Sequence, residues 1–407
     1  MTGVWALAAL WFGLALAASF ASNWFRISTA LSEIIVGMLA QLILGATIGA
    51  DVLGTNEPWV KFLAGVGAIL LTFLAGAELD PQVFKLKWKE AAAVGAASFF
   101  LPSVGCAAAG YYLLGWEFMP SILAGIALAA TSVAVVYTVM MEFGFNRTDF
   151  GKTILAACFI TDLGTVVTLG LVFAPFTLKT LVFAGSTAAA FIALPWLTPR
   201  LFKLFGGRPS EVETKFLLLC LLGLGSLATW AGSEAVLPAY LIGMALAGSV
   251  GRDHVLIRRL RTVVIGVLTP FYFTRAGYLV SLPAVISAPL GVIFFFAVEA
   301  ATKIVSVYPI AKYYGSSHQE AMYTTLLMSS GLTFGTIASL FGLSHGIIDK
   351  AQYSTLVAAI IGTAIIPTLI ANSFFLPRHL LPSAKPDDML GEKPAAVPAP
   401  RRAARRD

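Results

Sequence analysis

Two charged side chains stand where charge is hardest to place. Asp162 lies near the middle of the apolar run Ile154-Leu155-Ala156-Ala157-Cys158-Phe159-Ile160-Thr161-Asp162-Leu163-Gly164-Thr165-Val166-Val167-Thr168-Leu169-Gly170-Leu171. A carboxylate at that depth of a bilayer costs about 2.5–3.5 kcal/mol on insertion scales. It must face protein or water, and its chemistry there is reversible binding of a proton or a cation. The plainer alternative is a buried Asp that braces a neighbouring helix. Lys303 lies near the centre of a second apolar run, residues 289–313, with Glu299 four residues earlier on the same helical face. Two readings stand for this pair: a local Glu299–Lys303 ion pair, or a long-range approach of Lys303 to Asp162.

Two further runs carry polar groups at mid-membrane depth. In 119–141 they are Thr131 and Ser132, and in 320–341 they are Ser329, Ser330, Gly331, Thr333 and Gly335. Such hydroxyls can bond back to the preceding turn of an ordinary helix. Polar, glycine-interrupted runs at matching places in two halves of a chain are also the mark of discontinuous helices in an inverted repeat. On that reading helices four to six match helices eleven to thirteen.

These residues need elements to hold them. Of 407 residues 58% are hydrophobic and 12% charged, against about 25% charged in a soluble domain. The mean hydropathy is +0.85. The expected class is an all-α polytopic membrane protein. Apolar segments fall at 4–22, 31–50, 59–78, 91–114, 119–141, 151–174, 178–197, 214–231, 236–250, 263–280, 289–313, 320–341 and 353–376. The ninth is short and the tenth is interrupted by Pro270. The first has no basic leader region and reads as a retained helix.

Charge supports a count of about thirteen transmembrane helices. With the N-terminus outside, the inside loops hold Arg26, Lys85, Lys87, Lys89, Arg147, Lys152, Arg200, Lys203, Arg208, Lys215, Arg252, Arg258, Arg259, Arg261 and Lys312. The outside loops and their flanks hold only Lys61, Lys179, Arg275 and Lys350. This is the positive-inside pattern, with the C-terminus in the cytoplasm. Residues 378–407 are rich in Pro, Ala and Arg and read as a disordered basic cytoplasmic tail. Cys106, Cys158 and Cys220 all lie in apolar runs and read as small core residues. There is no metal-ligand spacing, phosphate-binding loop or dinucleotide fingerprint. The net charge of +6 needs no nucleic acid to explain it.

The chain resembles the monovalent cation:proton antiporter-2 family, the bacterial Na+/H+ and Kef-type K+/H+ exchangers, over most of residues 30–376. Ser32-Glu33-Ile34-Ile35-Val36-Gly37-Met38-Leu39 resembles the family's first signature. Phe73-Leu74-Ala75-Gly76-Ala77-Glu78-Leu79-Asp80-Pro81 is similar to its FLAGLELDP stretch, with Ala77 replacing Leu. Pro270-Phe271-Tyr272-Phe273 through Gly277 resembles its PFFF…G stretch.

The resemblance implies a transmembrane domain over 1–377. Dimerisation helices would occupy about 4–78 and 214–280, a linker helix about 178–197, and an ion-binding core about 91–174 and 289–376. It implies that Asp162 carries the transported Na+ or K+ and the proton, and that Lys303, with Glu299, tunes its charge. The crossed, broken helices would meet at Thr131, Ser132, Ser330 and Gly331, with Thr131, Ser132 and Thr161 offering hydroxyls to the ion. Electrogenic relatives carry Asp-Asp where this chain has Thr161-Asp162, so electroneutral exchange is expected. So are an elevator-like core movement, a homodimer in the cell inner membrane, no enzymatic activity and no cofactor. No nucleotide-binding domain is expected in this chain. A sodium-coupled organic anion carrier would want more Asn, Gln and Glu near the crossing, and a passive cation channel would want a filter.

Overall fold

The computed structural model describes residues 3–25, 27–47, 53–77, 87–145, 148–173, 177–206, 210–233, 235–251, 253–287 and 289–381. Lipid offers backbone amides no hydrogen bonds, so apolar runs must satisfy their own as helices. Thirteen helical passes result among the described residues. They are α1 (Val4–Phe25), α2 (Thr29–Thr47), α3 (Pro58–Ala77), α4 (Trp88–Leu113), α5a and α5b (Phe118–Ala129 and Val133–Glu142), α6 (Asp149–Phe173) and α7 (Leu178–Phe205). Then come α8 (Val212–Trp230), α9 (Val236–Leu246), α10 (His254–Val263 continuing through Thr269–Tyr278), α11 (Pro289–Tyr313), α12a and α12b (His318–Met328 and Leu332–Ser344) and α13 (Lys350–Phe375).

Several boundaries differ from the sequence reading, each for a local reason. Runs 119–141 and 320–341 are each two half-helices, parted at residues 130–132 and 329–331. Segment 263–280 is the later part of a helix that begins at His254, where the Asp253 carboxylate accepts from the amides of Val255 and Leu256. Its first part is too polar to register as a span. Pro270 does not end this helix: it stands in the first turn of Thr269–Tyr278, directly after a wide π turn over Val264–Leu268, where proline is tolerated. Helix α7 runs on to Phe205, past 197, despite Pro195 and Pro199. The start of α12a is fixed by a reciprocal cap between Ser317 and Glu320, and that of α13 by one between Asp349 and Gln352. Glu78 to Pro81 and most of the basic tail lie outside the described residues.

The helices pack as two groups. In one, α9 lies against α3, and the end of α10 lies against α2. In the other, α4 packs on α5a, α6 and α11, while α11 packs on α12a and α13. Helix α7 packs on α8 and α9. Glycines make the first group's crossings possible. A Cβ at Gly277 would collide with the Ile34 carbonyl, and one at Gly37 with that of Thr274, so two of the family-like stretches close on each other. At the α3–α9 crossing a Cβ on Gly76 would lie 2.5 Å from the Tyr240 carbonyl oxygen and 2.9 Å from the Met244 nitrogen. On α8, Gly225 is buried against Ile69 and Ala235, so it serves packing within the chain, whereas Gly223 has nothing within 4 Å.

Gly76→Val should therefore force α3 and α9 apart and cost about 1–3 kcal/mol. Gly185→Val, on α7 where nothing lies within 4 Å, should leave stability unchanged. Thermal unfolding of the two detergent-solubilised variants checks this, and equal melting temperatures would refute the close-packing role of Gly76.

Candidate functional site

The two broken helices meet at their breaks. The Ser132 amide donates to the Ser330 carbonyl. The Thr131 hydroxyl donates to the Met328 carbonyl at 2.8 Å, and the hydroxyls of Ser132 and Thr333 share a hydrogen bond of 2.7 Å. Gly331 lies against the Ala130 carbonyl, 2.9 Å from where a Cβ would stand. The residues of the crossing are buried, so these bonds stand in for those that water would otherwise make.

Lys303 reaches this point from α11. Its Nζ lies 2.9 Å from the Ala129 carbonyl oxygen and 2.7 Å from that of Met328. It also lies 2.8 Å from Ser98 Oγ and 3.3 Å from Thr131 Oγ1. Ala129 and Met328 are the last residues of α5a and α12a. The ammonium thus sits at the negative ends of both half-helix dipoles, with four oxygens sharing three protons.

The sequence reading did not name these helix ends, but Lys303 also stands close enough to Glu299 and Asp162 for their charges to interact. Among the described residues it forms no ion pair within 4.0 Å with Glu299 or Asp162. Glu299 is wholly buried one turn away, and neither of its carboxyl oxygens has a hydrogen-bond partner among the described residues. The helix ends, which meet no other cation among the described residues, hold the ammonium.

Asp162 is wholly buried, and both of its carboxyl oxygens also lack partners among the described residues. It lies at the floor of a cavity of about 250 Å³. One wall comes from the crossing group: Val133 and Tyr137 of α5b, Thr333 and Phe334 of α12b. The other comes from Leu71, Leu74 and Ala75 of α3, and Arg261 and Ile265 of α10. A carboxylate with no donor among the described residues, in a cavity of this size, can take a proton or a partly hydrated monovalent cation.

Thr161, beside Asp162 in the chain, is buried, and its hydroxyl lies 3.2 Å from the Gly95 carbonyl oxygen and 3.1 Å from that of Ala157. It faces α4 and does not line the cavity. Cys158, one turn before Asp162, contacts Met328 Sδ at 3.6 Å and ties α6 to α12a. Ser98 and Arg261 were missed as site residues by the sequence reading. A serine inside the apolar run 91–114 was the available signal for Ser98, whereas Arg261 registered only as a topology marker. Between the two helix groups the Tyr240 hydroxyl of α9 donates to the Phe159 carbonyl of α6 at 2.9 Å.

Residues 12–375 match the family described as "Sodium/hydrogen exchanger, transmembrane". The chain belongs to the sodium/hydrogen exchanger family. Among its relatives are a probable Na+/H+ antiporter of Methanocaldococcus jannaschii, 26% identical over 353 residues, covering 83% of this chain and 89% of that one. A Na+/H+ antiporter of Enterococcus hirae is 26% identical over 360 residues, covering 84% and 92%. A glutathione-regulated potassium-efflux protein of Haemophilus influenzae is also 26% identical, over 86% of this chain but 58% of its own length. The fold is similar to that of the sodium proton antiporter MjNhaP1 from Methanocaldococcus jannaschii, with a TM-score of 0.66 at 14% identity over 90% of this chain and 95% of that one. The protein is thus a multi-pass membrane protein of an antiporter family.

Lys303→Met strips the cation from two helix ends and leaves buried carbonyls bare. It should destabilise the protein by about 2–5 kcal/mol. Ser98→Ala removes one of four acceptors and should cost about 1 kcal/mol. Unfolding midpoints of both variants test the ranking; a Lys303→Met protein as stable as Ser98→Ala would show that Lys303 does not hold the crossing together.

Proposed function

We propose that the protein exchanges H+ for a monovalent cation, Na+ or K+, and that Asp162 carries both in turn. The observation that supports this most directly is the cavity: one buried, unpartnered carboxylate at the floor of a space bounded by two differently packed helix groups. Proton and cation compete for the same oxygens, so one can cross only when the other has left. Competition at one site couples the fluxes without a second binding event.

The crossing, Lys303 and Asp162 belong to one packed unit, α4–α6 with α11–α13, which we propose moves as a core against α1–α3 and α8–α10, with α7 as the linker. Elevator-like sliding of this core would carry Asp162 between the two faces of the membrane. With the basic loops in the cytoplasm of a cell inner membrane, the Asp162 cavity opens inward in this state, since it lies beside the later half of α3 and the earlier half of α10. A second cavity of about 840 Å³, bordered by Lys61, Arg275 and His345, lies toward the other face. We further propose a homodimer joined through the outer face of α8, where Leu219, Gly223, Ser226 and Trp230 are exposed at helical spacing.

One carboxylate in the cavity exchanges one proton for one monovalent cation, an electroneutral cycle. Asp162→Asn should fold and keep its oligomeric state yet lose cation-dependent proton flux in proteoliposomes; retained flux would sink the carrier assignment. With the membrane potential clamped, the reversal point of wild-type exchange should follow the two concentration gradients alone. A reversal point that moves with voltage would rule out one-for-one exchange.

A further inference from the structure

The walls of the Asp162 cavity divide by chemistry as well as by helix group. Helices α3 and α10 contribute apolar side chains, with Arg261, which another group of the chain engages. The remaining polar side chains, Asp162, Tyr137 and Thr333, all stand on the group that bears the crossing. Thr131, Ser132 and Thr161, from which hydroxyl ligands were expected, do not line the cavity. Thr333 is the second residue of α12b, just past the break, and is 7% exposed. Its hydroxyl is held in place by the 2.7 Å bond with Ser132 Oγ. A hydroxyl has one proton and two lone pairs. Whichever of the two groups donates, that bond leaves at least one lone pair free on Thr333 Oγ1.

We propose that Thr333 is a ligand of the transported cation, its hydroxyl oxygen joining the Asp162 carboxylate around the ion. The inference rests on the proposed exchange at Asp162 and names the second group that holds the ion. An alkali cation that sheds water needs several oxygens to replace its hydration shell. A proton needs only one carboxylate oxygen. In a cavity of about 250 Å³, a cation at Asp162 meets Thr333 directly or across one water. Neither Asp162 oxygen is hydrogen-bonded to Thr333, so the hydroxyl bears on the cation and not on the proton that competes with it. The oxygen is neutral, so it adds affinity for the cation without adding a titrating charge. Both residues belong to the core proposed to move, so the pair travels with the ion. The wall left behind on α3 is apolar and takes no ligand away.

The test is cation-dependent proton flux in proteoliposomes, with NaCl and KCl each titrated at acid, neutral and alkaline pH, for wild type, Thr333→Val and Thr333→Ser. Thr333→Val nearly keeps the side-chain volume and removes the oxygen. It is expected to raise the apparent KM for both cations about three- to tenfold, the worth of one ligand of hydrogen-bond strength. Because the proton affinity of Asp162 is untouched, the same factor should hold at each pH. Thr333→Ser keeps the oxygen and should keep the wild-type KM. A merely structural threonine would change turnover or stability and leave KM alone. A threonine acting through the proton on Asp162 would give a factor that varies with pH. Either result overturns the inference, as does a KM raised as far in Thr333→Ser as in Thr333→Val. Should Thr333→Val fail to fold, Thr333→Cys sets a soft sulfur in place of the oxygen and must raise the KM; an unchanged KM there overturns the inference as well. All of these outcomes leave exchange at Asp162 standing. Absence of flux in the wild type, or flux retained by Asp162→Asn, overturns the exchange reading and this one with it.

Discussion

A helix that stops in the middle of a membrane leaves carbonyl groups with nothing to bond. Two helices stop there in this protein, at Ala129 and Met328, and a single ammonium answers both. The rest of the core depends on that arrangement. Lys303 can reach both ends only if α11 runs beside the crossing, and α4 must lie close enough to add Ser98 as a further acceptor. Burying an ammonium in lipid would cost several kcal/mol if it stood alone. Here the half-helix ends supply the compensating negative potential, so the charge and the broken backbone stabilise each other.

Asp162 has no such partner among the described residues, and this contrast separates structure from function in the site. A carboxylate fully satisfied by donors would hold its geometry but would have little to gain from an arriving ion. One left bare at the floor of a cavity gains much from any cation or proton that reaches it. The crossing next to it is satisfied down to its hydroxyls, through Thr131, Ser132 and Thr333. Surroundings so well bonded let the unsatisfied Asp162 carboxylate persist.

Much of this was legible in the sequence because lipid permits so few solutions. The thirteen passes come from apolar length and from where the basic residues fall, and the breaks come from Ser and Gly where a membrane helix should have neither need nor benefit. What was not legible involved the backbone. The partners of Lys303 are mostly carbonyls, which every residue carries and no sequence displays; the Glu299 spacing was the visible signal and pointed to a pair that the geometry does not make. Thr161 illustrates a second limit. It adjoins Asp162 in the chain, but consecutive residues on a helix point about 100° apart, and its hydroxyl turns toward Gly95 on α4 instead. Arg261 shows a third: its charge was read for topology, because nothing in the sequence says that α10 shares a cavity with α6.

The seam between the two helix groups has its own mechanical character. Beside the Asp162 cavity it is nearly all apolar: the Phe334 ring meets Tyr240 edge-on at 5.7 Å, and Leu237 fills the notch left by Gly170. Such surfaces slide by trading one set of contacts for another of similar worth. The Tyr240–Phe159 hydrogen bond is directional, and a shift of a few ångströms breaks it at a net cost of about 1 kcal/mol. Under the proposed core movement it would act as a detent on an otherwise smooth track: strong enough to give the core a resting place, weak enough for thermal motion to release it.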